Sequence, residues 1–306
     1  MNKIVLLTGI LLGLISCQNG DKISLGLNLE EGEKYNFNSA VEMVLIQEMM
    51  GQEMDIKMDM NSNLNFESLG VVDNQNLLLA SYDFISYGTE SPQMQMFFSS
   101  EETDSDDPMD MLFKEITKHN FKFQINQQGR VSKVEGVDEL WSSVINDNQV
   151  ISDVEKSQVE SQLKEIYGGE SFAQTIETSF AIYPEKKVKV GDSWTIETNL
   201  QNNYPAFIET TYTLKKIDAD YAYLEAIGEI FTKEGDNLME TGGMTFEFDL
   251  EGENTSTYKI NRDTGWIAEA TINQNTKGKM MFSEAPEGME DQAIKMNLSF
   301  VIEIDN

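Results

Sequence analysis

The stretch Glu53-Met54-Asp55-Ile56-Lys57-Met58-Asp59-Met60-Asn61-Ser62-Asn63-Leu64-Asn65-Phe66-Glu67 alternates with period two. Every even position except Ser62 is apolar, and every odd position is Glu, Asp, Lys or Asn. A helix turns about 100° per residue and cannot hold that alternation over such a length, so the stretch is a long β-strand with one wet face. The residues before it alternate on odd positions, with Tyr35, Phe37, Val41, Met43 and Leu45, and Met50-Gly51-Gln52 separates the two runs as a turn. Together they form a hairpin. A strand of about thirteen residues spans roughly 44 Å, a length that calls for strong twist or curl.

Working outward, further alternating segments occupy residues 77–87, 93–98 and 120–134, then 193–200, 207–217, 221–230, 244–250, 256–260, 266–273, 279–282 and 296–304. Between the two sets the period changes to that of a helix. Met109, Leu112, Phe113 and Ile116 share one face of residues 108–118; Val137, Leu140, Trp141 and Val144 do so in 137–145, and Val154, Val159, Leu163 and Ile166 in 154–167. A fourth helix is expected over 171–180, stopped by Pro184. Two short motifs recur: Gly32-x-x-Tyr35 matches Gly191-x-x-Trp194, and Ile125-Asn126 to Gly129-Arg130-Val131 echoes Ile260-Asn261 to Gly265-Trp266-Ile267. The expected fold is α+β and mainly antiparallel β: two tandem β units forming a curled sheet or half-barrel around a few helices. The expected divisions are a leader at 1–16, a tether at 17–29, a first β unit at 30–136 with an acidic loop and short helix at 101–118, a helical segment at 137–181 and a second β unit at 182–306.

Composition removes several function classes. With 53 acidic residues against 22 basic ones the formal net charge is −31, which opposes binding to a phosphate backbone, so nucleic acid is excluded as a partner. One cysteine forms no internal disulfide, and one histidine leaves no His-rich metal site and no evident Ser-His or Cys-His pair. Ile4 to Ile15 is an uncharged, mostly apolar run following Lys3, too short to cross a bilayer and of the kind found in a signal peptide. It ends in Leu14-Ile15-Ser16-Cys17, which resembles the lipobox of bacterial lipoproteins. That resemblance implies a cleaved leader, acylation of Cys17 by chains such as palmitate, and anchoring in the cell envelope, at the periplasmic face of the outer membrane or at the cell surface.

The apolar wall of the hairpin supplies the site residues: Met43, Leu45, Met54, Ile56, Met58, Met60, Leu64 and Phe66 are the expected lining of a groove for a lipid, an acyl-bearing molecule, another hydrophobic small molecule or an envelope protein. Methionine is flexible and polarizable and adapts to ligands of varied shape. The same spacing is equally that of a filled core. A thioether copper site is a further reading of the methionines, but no His or thiol supports it, and no metal site or cofactor is expected. The run from Glu101 to Asp110 holds six acids in ten residues and reads as a solvated loop without the glycine and terminal Glu of an EF-hand. His119 reads as structural or surface. No catalytic residue is nominated. A non-enzymatic, membrane-tethered binding protein is the leading expectation; the alternatives are a structural or interaction module with a filled core and, more weakly, a carboxylate-based enzyme acting on glycans.

Gly32-x-x-Tyr35, Phe123-x-Ile125 with Gly129-x-Val131, and Val190-Gly191-Asp192-Ser193-Trp194 give the chain a resemblance to a family of uncharacterised Bacteroidetes-type lipoproteins, classed only as a domain of unknown function. The likeness covers most of the chain after the leader. It implies an envelope lipoprotein and carries no catalytic residues over.

Overall fold

A computed structural model describes residues 22–49, 51–102, 105–200, 205–241, 244–283 and 293–306. The leader and the acylation motif at Cys17 lie outside the described residues. Among the described residues thirteen strands and four helices follow in chain order. The first run is β1 (Lys34–Met49), β2 (Gln52–Val72), β3 (Gln75–Ser91), β4 (Met94–Ser99), α1 (Pro108–Ile116), β5 (Asn120–Ile125) and β6 (Val131–Glu135). Three helices come next: α2 (Val137–Asp147), α3 (Asp153–Tyr167) and α4 (Gly169–Phe180). The second run is β7 (Ser193–Asn199), β8 (Phe207–Ile217), β9 (Tyr221–Phe231), β10 (Leu238–Thr241), β11 (Met244–Asn261), β12 (Ile267–Phe282) and β13 (Ala293–Asp305).

All strands join one antiparallel sheet in the order β6-β5-β3-β2-β1-β13-β12-β11-β9-β8-β7, with β4 beside β3 and β10 beside β11. Each run is a meander, and the two meet where the first strand pairs with the last, from Ser39 opposite Ile304 to Glu48 opposite Lys295. The fold is thus α+β and mainly antiparallel, as the alternation predicts. Two expected breaks are absent: residues 244–250 and 256–260 are parts of one strand, as are 266–273 and 279–282. Gly252 and Gly278 lie inside these strands and keep the inward phase, so neither ends pairing.

The sheet is open, and α4 bonds to both of its edges. Glu177 accepts from the backbone N–H of Val131 on β6 at 2.8 Å and pairs with Arg130 at 3.3 Å. Arg130 in turn donates to the carbonyl of Glu197 on β7 at 3.0 Å, and Gln174 donates to the carbonyl of Asn199 at 3.1 Å. Edge groups that would otherwise template pairing with another chain are thereby satisfied. Helix α1 starts at Asp107, whose carboxylate accepts from Met109 N–H, with Pro108 in its first turn, and α3 starts with a Ser152/Glu155 capping box.

The expected tether of 17–29 is corrected over its described part. Residues 22–29 are a strap in the core, with Leu25, Leu27 and Leu29 buried. Ile23 exchanges both backbone hydrogen bonds with Val188, Leu27 N–H donates to Gln127 at 2.9 Å, and Asn28 N–H donates to Thr264 at 2.8 Å. Gln127 and Thr264 belong to the two recurrent turns, so the strap ties the equivalent corners of the two runs together. The turns need their glycines. Gly129 (φ +82°) and Gly265 (φ +72°) are left-handed, and a Cβ would fall 1.7 Å from the Phe180 carbonyl oxygen in one case and 2.1 Å from that of Gly26 in the other. Ile23, Leu25, Leu27 and Leu29 do fall at every second position, but the run is short and stands directly after the leader, and the reading of 17–29 as a linker passed over it.

The principal core lies between the helices and one half of the sheet's inner face. Phe66 packs against Phe123 at 5.2 Å, Trp266 at 5.7 Å, Phe37 at 6.2 Å and Phe172 of α4 at 6.5 Å. Phe180, also of α4, stacks on Trp266 at 4.7 Å, and Trp141 of α2 is fully buried. Trp194 and Trp266, both following glycine turns, donate their indole N–H to the carbonyls of Ile182 and Asn36. A second apolar cluster gathers Leu200, Ala206, Ile208, Ile230, Phe246, Phe248 and Leu250 toward the other end of the later strands.

Candidate functional site

Register places the eight expected lining residues on one face. Met43 is opposite Met58, Leu45 opposite Ile56, Val41 opposite Met60, Phe37 opposite Leu64 and Tyr35 opposite Phe66. On the other side of β1, Met43 is opposite Phe300 and Leu45 opposite Leu298. These residues do not share one environment. Leu64 and Phe66 are buried in the principal core and line no groove, whereas Met43, Leu45, Met54, Ile56, Met58 and Met60 are half-buried. The filled core thus takes Leu64 and Phe66, while the other six stay half-buried on the same face.

The wall extends beyond the hairpin. Thr89 and Met96 continue the row of Met43 and Met58, while Tyr87 and Phe98 continue that of Val41 and Met60. A β-bulge makes this possible. The β2–β3 register shifts between Asn63 and Leu64, so that Leu64 faces Tyr82 but Ser62 faces Ile85. Tyr82 and Tyr87, five residues apart, consequently point to the same face, which strict alternation forbids. Sequence reading missed both, because no composition signal marks a bulge at Asp83.

At the junction between wall and core stand α1 and the end of α3. Phe98 of β4 lies 6.5 Å from Phe113 of α1, and Phe113 lies 5.7 Å from Tyr167. Tyr167 also packs at 5.9 Å on Trp141, whose indole N–H donates to the Tyr167 carbonyl at 3.1 Å. Burial, aided by the neighbouring phenols of Tyr82 and Tyr87, pushes the Tyr167 pKa far above its ordinary value. Burial alone pushes Tyr82 upward. Both phenols are therefore neutral donors at any working pH.

Part of the acidic run is structural. Asp107 caps α1, and buried Asp110 accepts from the Ser99 N–H at 2.7 Å, fastening α1 to β4. His119 is a half-buried neighbour of Glu115 at 3.6 Å. Among the described residues no three of His, Cys, Asp and Glu gather into a group able to hold a metal. Two shallow clefts form away from the wall. One, of about 240 Å³, lies on β9, β11 and β12 around Ile227, and the other, of about 270 Å³, lies beside α4 around Gln174 and Glu177. Among the described residues no helix is long and apolar enough to cross a membrane.

Comparison with known proteins gives a family and no activity. The profile of a family of unknown function, DUF6263, matches residues 73–267, from the β2–β3 turn to the start of β12, and so includes Tyr82, Tyr87 and Tyr167 but not β1, β2 or β13. No curated protein matches the chain. Among solved structures, lipovitellin, described for its lipid–protein interactions, is similar at 8% identity and a TM-score of 0.49 over 91% of this chain. The chain spans 25% of the lipovitellin chain. OpdQ of Pseudomonas aeruginosa is similar at 7% identity and a TM-score of 0.19, over 89% of this chain and 98% of that one. A DUF1329 family protein of Desulfovibrio piger is similar at 11% identity and a TM-score of 0.11, over 88% of this chain and 84% of that one. At these scores the likenesses carry no argument about function.

Proposed function

The chain belongs to a family of unknown function (DUF6263), and from its geometry we propose that it is a membrane-tethered, non-enzymatic binding protein of the cell envelope that takes a lipid or other acyl-bearing ligand. The observation that carries this reading is the change of environment along β2. The alternation that buries Leu64 and Phe66 continues through Met60, Met58, Ile56 and Met54, which are only half-buried. A contiguous apolar wall left half-open, rimmed by charged outward positions, is the ordinary form of a hydrophobic binding surface. In this reading the sheet curls about its helices as a half-barrel: α4, bonded to both edges, closes the packed end, and the wall stands at the other.

The anchor fits the same picture. Cys17 stands six residues before Ile23 in the sequence, a reach of at most about 20 Å. The strap enters at Val188 and the two recurrent turns, at the packed end, while Tyr35 to Leu45 of β1 leads roughly 34 Å away from it. Acylation at Cys17 then holds the packed end toward the membrane and leaves the wall facing outward, and the acidic outer surface resists lying flat on anionic lipid.

The test is native mass spectrometry of the full chain carrying Cys17→Ser, purified without detergent and offered an extract of envelope lipids. Retention of lipid by the parent and its loss in Met58→Gln is the expected result. A protein that takes up no lipid, and whose Met58→Gln variant is indistinguishable from it, removes the reading.

A further inference from the structure

The open wall has a polar element at its base. Tyr167 is the one residue, among those described, with a buried side-chain oxygen that has no hydrogen-bond partner. Buried hydroxyls are almost always satisfied, and an exception asks for an explanation outside the protein's own hydrogen bonds. Its own packing offers none. The ring is held by Phe113 and Trp141, and the backbone carbonyl is already occupied by the Trp141 indole, so the ring's position is fixed whether or not the hydroxyl is bonded.

The location is what gives the orphan hydroxyl a use. Its electrostatic neighbours are the phenols of Tyr82 and Tyr87, brought to one face by the β3 bulge. Tyr87 is the direct cross-strand partner of Met60, where the open wall begins, and of Phe98, which touches Phe113 beneath it. Met60 thus stands one strand from Tyr87, whose phenol neighbours that of Tyr167. No Lys, Arg or His lies on this inner row, which runs Val41, Met60, Tyr87, Phe98, and the protein carries a net charge of −31, so an anionic head group meets no cation there. A neutral donor buried beside an apolar wall selects a neutral acceptor.

We propose that the wall binds a neutral, carbonyl-bearing lipid, such as an acyl ester, with its chain on the methionines and its carbonyl oxygen accepting the hydrogen bond of the Tyr167 hydroxyl. This rests on the binding function proposed above and adds the chemical class of the ligand and the residue that recognises it. Tyr87 is a positioning neighbour, and entry of the carbonyl requires a side-chain shift at Tyr87 or Phe98, both only half-buried.

The experiment uses the full chain with Cys17→Ser and displacement of the fluorescent apolar probe N-phenyl-1-naphthylamine. Competitors are methyl laurate, tridecane as a comparable chain without a carbonyl, and ionised laurate at pH 8. The expected result is that methyl laurate displaces the probe about fivefold better than either of the others, and that Tyr167→Phe abolishes this advantage while leaving tridecane unchanged. Thermal melting of the unliganded Tyr167→Phe variant is expected to be equal to or above that of the parent, since only an unbonded hydroxyl is lost. Equal displacement by ester and alkane in the parent, or an ester advantage that survives in Tyr167→Phe, overturns the inference while the apolar wall stands. Failure of the probe to bind the parent at all overturns both.

Discussion

Leu64 and Phe66 at one end of β2 and Met54 to Met60 at the other belong to a single alternation, yet the first pair is buried, with Phe66 against Phe172 of α4, while the apolar residues of the second group are only half-buried. The two ends also differ in side-chain type. Aromatic and branched residues fill the packed end, where α4 contributes Phe172, Ile176 and Phe180, while four methionines, Met43, Met54, Met58 and Met60, stand among Leu45 and Ile56 at the open one. A rigid ring gains most where neighbours are fixed, and a flexible thioether gains most where they are not. The comparison teaches that a one-faced strand is a platform, and that what it does is set by what lands on it.

The largest effect expected from breaking that contrast is at the packed end. Phe66→Ala removes a ring with four aromatic neighbours, and urea unfolding should show a loss of about 3–5 kcal/mol. Next comes the strap. Leu27→Ala should cost about 2–4 kcal/mol in the same measurement, whereas a free linker there would show no change. At the seam, Glu177→Ala leaves the Val131 N–H and Arg130 without their carboxylate. A cost of about 1–2 kcal/mol is expected, with faster amide exchange along β6. Against these, Met58→Ala at the open end should cost less than about 1 kcal/mol while lowering lipid retention, because a half-buried side chain loses little on truncation. Comparable losses for Phe66→Ala and Met58→Ala would show that the wall is covered and abolish the distinction.

The smallest effect is a pH dependence at the β8–β9 turn. The Asp218 carboxylate accepts from the Tyr221 N–H at 2.9 Å, which lowers its pKa to about 2. A folded pKa below the unfolded value near 3.8 contributes stability above that value, and the contribution is lost as pH falls toward 2. Asp218→Asn should flatten the fall of the urea midpoint between pH 4 and pH 2, and an unchanged slope would assign the acid sensitivity elsewhere.

Much of the architecture was legible because period-two and period-3.6 patterns depend only on local side-chain direction. The hairpin and the four helices came from such patterns, and the likeness of the turns at Gly129 and Gly265 from a recurrent short motif. The strap at 22–29 was passed over although Ile23, Leu25, Leu27 and Leu29 alternate, because so short a run does not say what it pairs with, and the continuity of β11 and β12 through Gly252 and Gly278 was missed because glycine in sequence resembles a stop. Of the eight lining residues expected, six remain at the open wall and two belong to the core, a division on which the alternation itself is silent. Tyr82, Tyr87 and Tyr167 were absent from the expected site. Their convergence needs a bulge at Asp83 and the packing of α3 against α1 and α2, which are long-range events.

By itself, then, the sequence determined that this chain forms long one-faced antiparallel strands in two related runs with helices between, because each of those properties is written in neighbours a few residues apart. Only the tertiary structure decided that the first and last strands join the runs into one sheet, that α4 bonds to both edges, and that one part of β2 is buried while the other stays half-exposed. Those outcomes depend on which surfaces meet across separations of a hundred residues or more, where burial of the whole set, and no local pattern, selects the arrangement.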